Sequence, residues 1–97
     1  MTRPRRLRNV AAIPNTTYFK PVGVRMFELE EVVITVDEFE AVRLKDYKDL
    51  AQSDAAKKMN ISQPTFNRLL SSARKKITDG LIEGKAIKIE GGNYILK

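Results

Sequence analysis

The chain is 97 residues long, room for one small domain with a single modest core, and its 42% hydrophobic and 31% charged residues are the balance of a soluble globular protein. It has neither Cys nor His and no Gly-rich phosphate loop or nucleophile elbow, which excludes disulfides, thiol and imidazole catalysis and Cys/His zinc sites, and leaves no catalytic or metal-binding residue to name. The net charge of +6 is segregated: residues 1–25 hold six basic and no acidic side chains, residues 26–56 nine acidic and three basic, and residues 57–97 nine basic and three acidic, so both ends are available to a polyanion.

The first stretch, MTRPRRLRNV, carries Arg3, Arg5, Arg6 and Arg8 around Pro4. It has no periodic apolar pattern and reads as an extended basic arm. It also lacks the apolar segment of a secretory signal, and no apolar run approaches the length of a membrane span, so a cytoplasmic protein without membrane contact is expected. Pro14, Pro21 and Gly23 place the rest of residues 1–25 in loop, with Tyr18 and Phe19 packing onto the body. The folded domain is expected over residues 26–97. Its first part, around Val32, Val33 and Ile34, favours extended backbone.

A first helix is predicted over residues 36–47. The run TVDE is a capping box, in which the Thr35 hydroxyl accepts from the Glu38 amide while the Glu38 carboxylate reaches back. Ile34 and Phe39 form the matching hydrophobic staple, and Val36, Phe39, Val42 and Leu44 are the expected core residues. A second helix over residues 51–59 buries Ala55, Ala56 and Met59 and stops at Asn60, a residue that tolerates left-handed backbone. Ser62 is then an N-cap, and Pro64 falls in the first turn of the next helix, where its missing N–H costs nothing. That third helix carries the stripe Phe66, Leu69, Leu70, Ala73, Ile77 and Leu81 and ends near Gly84. Finally, Ile87 and Ile89 before Gly91-Gly92, with Tyr94 and Leu96 after, signal a C-terminal β-hairpin.

The fold class expected is therefore mainly α: a three-helix core whose last two helices form a helix-turn-helix, with the basic arm in front and the hairpin behind. A plain αα-hairpin would share the pattern. The outward face of the third helix favours a DNA reader, since its N-terminal end presents Ser62, Gln63, Thr65, Asn67, Arg68 and Ser71. Gln and Asn pair bidentately with adenine, and Arg with guanine. Lys57, Lys58, Arg74, Lys75 and Lys76 are expected near phosphates, with no carboxylate between Asp54 and Asp79 to repel them. Arg3, Arg5, Arg6 and Arg8 suit a minor groove or non-specific backbone affinity equally. Lys85 and Lys88 would contact DNA if the hairpin were a wing; burial of its isoleucines argues instead for core packing or a dimer contact.

The blocks TRPRRLR, YFKPVGV, ELEEVVITVDEFEAVRL, AAKKMNISQPTFNRLLSSARKKI and EGKAIKIEGGNYIL, in that order, resemble an uncharacterised family of small bacterial and archaeal proteins. That family is predicted to bind DNA through a helix-turn-helix like region four of primary sigma factors, so the resemblance implies a DNA-binding, transcriptional role. The chain departs from the family pattern in three places. It has no cysteines around residues 10–12, it has Gln63 where Arg is common, and it has Ala51 where a hydroxyl N-cap is usual. Some relatives carry a fused domain resembling those that bind the nitrogenase iron–molybdenum cofactor; no such domain is read here, and no cofactor is expected. The function expected is sequence-specific binding of double-stranded DNA for transcriptional control, by a homodimer that doubles a small set of base contacts; any contact with RNA polymerase is left open. The other readings are a protein-interaction module docking through the acidic residues 28–40, and an RNA-binding protein.

Overall fold

The structure, a computed structural model, describes residues 7–97. In chain order it comprises β1 (Arg8–Val10), β2 (Tyr18–Phe19), β3 (Glu31–Ile34), α1 (Val36–Val42), α2 (Gln52–Met59), α3 (Gln63–Glu83), β4 (Ala86–Ile89) and β5 (Tyr94–Leu96). A 3-10 turn at Met26–Glu28 precedes β3, and a π-helical segment at Arg43–Tyr47 continues α1.

The helix boundaries follow from local chemistry. Thr35 caps α1 by accepting from the Glu38 amide at 3.3 Å, and the Glu38 carboxylate accepts from the Thr35 amide at 2.9 Å. Ile34 and Phe39 pack in one cluster, as a hydrophobic staple does. Asn60 closes α2 in left-handed backbone, φ 58°. Ser62 caps α3 through the Thr65 amide at 3.3 Å, with Pro64 in the first turn. Ala51 stands at the N-cap of α2 with no side-chain hydrogen bond.

Two hydrophobic clusters share α1 and α3. One joins Ala41 and Leu44 to Ala55, Ala56 and Met59 of α2 and to Phe66 and Leu70 of α3. The other joins Val10, Ile34, Val36 and Ile89, with Ile77 and Tyr94 packed against them. The expected stripe of α3 holds as far as Ile77 and then shifts by one position. Leu81 is 72% exposed, and the buried residue is Gly80. A Cβ on Gly80 would lie 2.7 Å from Ile87 Cγ1 and 3.2 Å from Val32 Cγ1, so the sheet can press against the helix only at a residue without a side chain.

The strands are arranged differently from the sequence expectation. β4 and β5 flank Gly91-Gly92 as expected, but they do not pair with each other. β4 is the centre of a three-stranded sheet of order β2-β4-β3, parallel to β3 with Ile34 opposite Ile89, and antiparallel to β2. β5 instead pairs in parallel with β1, Val10 opposite Leu96. A hairpin would leave both apolar faces to be covered by the helices alone. Pairing with β1 and β3 buries Val10, Ile34 and Ile89 against α1 and α3.

The N-terminal region is drawn into the body by the same pairing. Residues 7–25 were expected as arm and loop, yet they supply β1 and β2. Arg8 is therefore not an arm residue. It is paired opposite Tyr94, and its guanidinium lies 3.8 Å from the buried carboxylate of Asp37. Arg3, Arg5 and Arg6 lie outside the described residues.

Candidate nucleic-acid interface

Two helices, α2 and α3, are joined by only three residues, Asn60, Ile61 and Ser62. Asn60 turns the chain and the Ile61 amide donates to the Ala56 carbonyl at 3.0 Å, so the turn is fixed by backbone bonds. Ile61 and Leu69 pack against the cluster of Ala56, Met59, Phe66 and Leu70. The inner side of α3 is thereby committed to the core, and its outer side is left to solvent.

On that outer side Gln63, Asn67 and Ser71 recur every four residues, all exposed, and Arg74 continues the line. Arg68 and Lys75 flank it and are exposed as well. Among the described residues the side chains of Gln63, Asn67 and Ser71 make no hydrogen bond within the protein. Their donors and acceptors therefore face outwards unspent. Ser62 and Thr65 differ. The Ser62 hydroxyl caps the helix and also donates to Thr65 Oγ1 at 3.0 Å, while Arg68 Nη2 donates to the same Thr65 oxygen at 3.1 Å. Thr65 is half-buried and turned away from the stripe. Of the six residues expected to contact bases, four form one exposed group, and two build the helix start beneath it.

The expected phosphate contacts divide further. Lys57, Lys58 and Lys75 are exposed. Arg74 instead holds Asp46 in a two-pronged ion pair, Nε to Oδ2 at 3.0 Å. The hydrogen bonds from the Arg74 guanidinium hold the Asp46 carboxyl below its ordinary value, against an opposing effect of burial. A carboxylate thus borders the proposed footprint after all. It arrives from the π-helical segment, 28 positions away, and nothing in the local sequence of α3 signals it. Lys76 is also spent, pairing with Glu38 at 2.8 Å. Of the two lysines of the expected wing, Lys85 pairs with Asp79 at 2.9 Å and Lys88 with Glu90 at 3.2 Å. Lys88 lies on β4, the central strand of its sheet, and Lys85 immediately precedes it.

Sequence reasoning missed the bonds that hold α3 in place. Glu38 accepts from Lys76 Nζ at 2.8 and 3.0 Å, and from the Ser72 hydroxyl, while its own helix is capped through the same carboxylate. Burial raises the Glu38 carboxyl, but the bonds from Lys76, Ser72 and the Thr35 amide outweigh it, and the net shift is downward. Glu40 is likewise buried. It accepts from Arg43 at 2.7 and 3.0 Å and from the Ala11 amide at 3.1 Å, tying α1 to the segment after β1. The acidic segment is therefore divided: Asp37, Glu38 and Glu40 are buried, while Glu28, Glu30 and Glu31 are exposed. The capping box was the one local sign that Glu38 would be held.

Among the described residues no helix is long and apolar enough to cross a membrane.

Residues 1–97 match the model of a family described as protein of unknown function DUF134. A UPF0251 protein of Caldanaerobacter subterraneus subsp. tengcongensis is 55% identical over 94 residues, which cover 97% of this chain and 80% of that protein. One of Thermoanaerobacter pseudethanolicus is 54% identical with the same coverage. One of Moorella thermoacetica is 54% identical over 96 residues, 99% of this chain and 64% of its own length. No solved structure matches the chain. By the match along its whole length and by these relatives, the chain belongs to the DUF134 family.

Proposed function

We propose that the protein binds duplex DNA sequence-specifically, as a regulator of transcription, and that the N-terminal half of α3 reads the bases. The observation that supports this most is the exposed, unbonded stripe of Gln63, Asn67 and Ser71 beside Arg68, at the capped start of a long helix. Gln63 and Asn67 offer the amide geometry that matches adenine N6 and N7, and Arg68 the fork that matches guanine O6 and N7. The positive end of the α3 dipole and Lys57, Lys58 and Lys75 supply attraction to phosphates without sequence preference. A homodimer would double these few contacts. Part of the role first expected of the arginines is withdrawn, since Arg8 and Arg74 are engaged within the fold.

The interaction-module reading keeps only Glu28, Glu30 and Glu31 of the acidic segment at the surface, since Asp37, Glu38 and Glu40 turn inwards. For RNA binding, α3 offers no face on which unpaired bases could stack, because its aromatic residue, Phe66, is buried. Fluorescence anisotropy on a selected duplex tests the proposal. Gln63→Ala and Asn67→Ala should each weaken the preferred sequence by about 1–3 kcal/mol and leave binding to random duplex unchanged. Equal loss on both DNAs would contradict base reading.

A further inference from the structure

The outer side of α3 is polar along its first half, but its last turn is not. Leu81 and Ile82 stand side by side at the surface there, turned out because Gly80 takes the inward position. Across from them, in the 3-10 turn before β3, stand Met26 and Phe27, and all four side chains are more than half exposed. The two segments are neighbours. The Ala86 amide donates to the Glu30 carbonyl at 2.9 Å, and Lys85 Nζ lies 3.8 Å from the Glu30 carboxylate. Glu28, Leu29, Glu30, Glu83, Gly84 and Lys85 line the cleft between them. Single exposed apolar side chains are ordinary on a folded domain, whereas four large ones on adjoining segments mark a contact surface.

Each segment also carries a charge, and the two are opposite. Arg25 is exposed, with its guanidinium 5.8 Å from the centre of the Phe27 ring. Glu83 is exposed next to Ile82. Among the described residues neither Arg25 nor Glu83 forms an ion pair. One lobe is thus apolar with a cation, the other apolar with an anion, and within one chain they do not cover each other. A twofold axis between them lays the cationic lobe of each copy on the anionic lobe of the other, twice over. That is the self-complementarity an isologous contact requires. A nucleic acid or an anionic membrane fits the face poorly, because the exposed Glu28, Glu30 and Glu83 repel it.

We propose that this face joins two copies of the chain, with Met26 and Phe27 of one packed on Leu81 and Ile82 of the other and Arg25 paired with Glu83 across the contact. The apolar side chains supply the burial, and the two ion pairs fix the register and the twofold arrangement. The last turn of α3 lies about 30 Å from its first. Pairing there leaves Gln63, Asn67 and Ser71 uncovered. The contact gives the homodimer of the DNA-binding reading a place on the molecule, but it does not rest on that reading.

The test is sedimentation velocity on the purified full chain over a concentration series, without DNA. The mass should rise with concentration from 11.0 kDa towards twice that value. R25E and E83R each set like charges against one another in both halves of the contact, and each should raise the dimer dissociation constant at least about tenfold. An equimolar mixture of the two variants should form dimers again, since every introduced charge then meets its opposite. I82D should abolish the dimer in the parent background. All of these positions are exposed, so each variant should keep the circular dichroism of the parent. A chain that stays monomeric throughout, dimers that persist unchanged in R25E and E83R, or a mixture that fails to restore them would overturn the proposal. Duplex binding is measured separately: its absence contradicts the DNA reading and leaves the sedimentation result to decide the contact.

Discussion

Asn67 and Gln63 stand out because their amides find no partner among the described residues, on a helix whose opposite side is committed to packing. Residues nearby behave differently for reasons of distance alone. Arg74 and Lys75 are neighbours, yet Arg74 is held by Asp46 at the surface and Lys75 is exposed. Lys75→Ala should therefore weaken duplex binding and reduce the salt slope of log Kd by about 0.9, one phosphate contact, whereas Arg74→Ala should leave the slope unchanged. A salt titration of the two variants distinguishes them. Glu38 gives a prediction about stability. Its carboxyl is held below its ordinary value of 4.5, so the folded chain binds that proton less tightly than the unfolded chain. The resulting stabilisation is complete above about pH 4.5 and is lost as the pH falls through the folded value. Glu38→Gln should cost about 1.5–3 kcal/mol at neutral pH, the range for a hydrogen bond to a charged group. It should also flatten the acid limb of a denaturation curve followed by circular dichroism. An acid limb identical to that of the parent would show that Glu38 carries none of this dependence.

Of the three α-helices, α2 alone has no side-chain cap at its start, since Ala51 offers no oxygen to its first amides. The backbone there is already extended, φ −61° and ψ 148°, as an N-cap requires. Ala51→Asp should raise stability by about 0.5–2 kcal/mol, visible as a higher Tm. Gly80→Val should lower it by about 1–3 kcal/mol, because the new side chain would enter the space of Ile87 and Val32. How far these elements can be read from the sequence follows the range of the interactions that make them. The Thr35–Glu38 box, the Asn60 stop and the Ser62–Pro64 start each depend on residues within four positions of one another, and all three are legible. The strand partners of β4 and β5 are not, because Gly91-Gly92 fits a hairpin as well as it fits a turn between separate sheets. Arg8 and Arg74 read as free cations because their partners, Asp37 and Asp46, lie 29 and 28 positions away. The one-position shift from Leu81 to Gly80 has the same origin: helical periodicity alone does not say where a sheet will press.

Over the whole molecule, the segregated charge of the sequence is partly resolved by folding. Three of the nine acids of the middle segment are consumed inside, where Asp37, Glu38 and Glu40 meet Arg8, Lys76 and Arg43. The helix pair is left locally basic, with Lys57, Lys58, Arg68 and Lys75 exposed on it. On that face a polyanion is favoured as the partner, and it is the stripe on α3 that makes the expected binding selective. Selection of the purified protein on random duplex DNA, at low and at physiological salt, tests that claim most directly. The account predicts enrichment of an adenine-containing palindrome, with half-sites about 10 base pairs apart centre to centre and binding that weakens as salt rises. Salt-sensitive binding with no enriched sequence, or no binding at either salt, would contradict it.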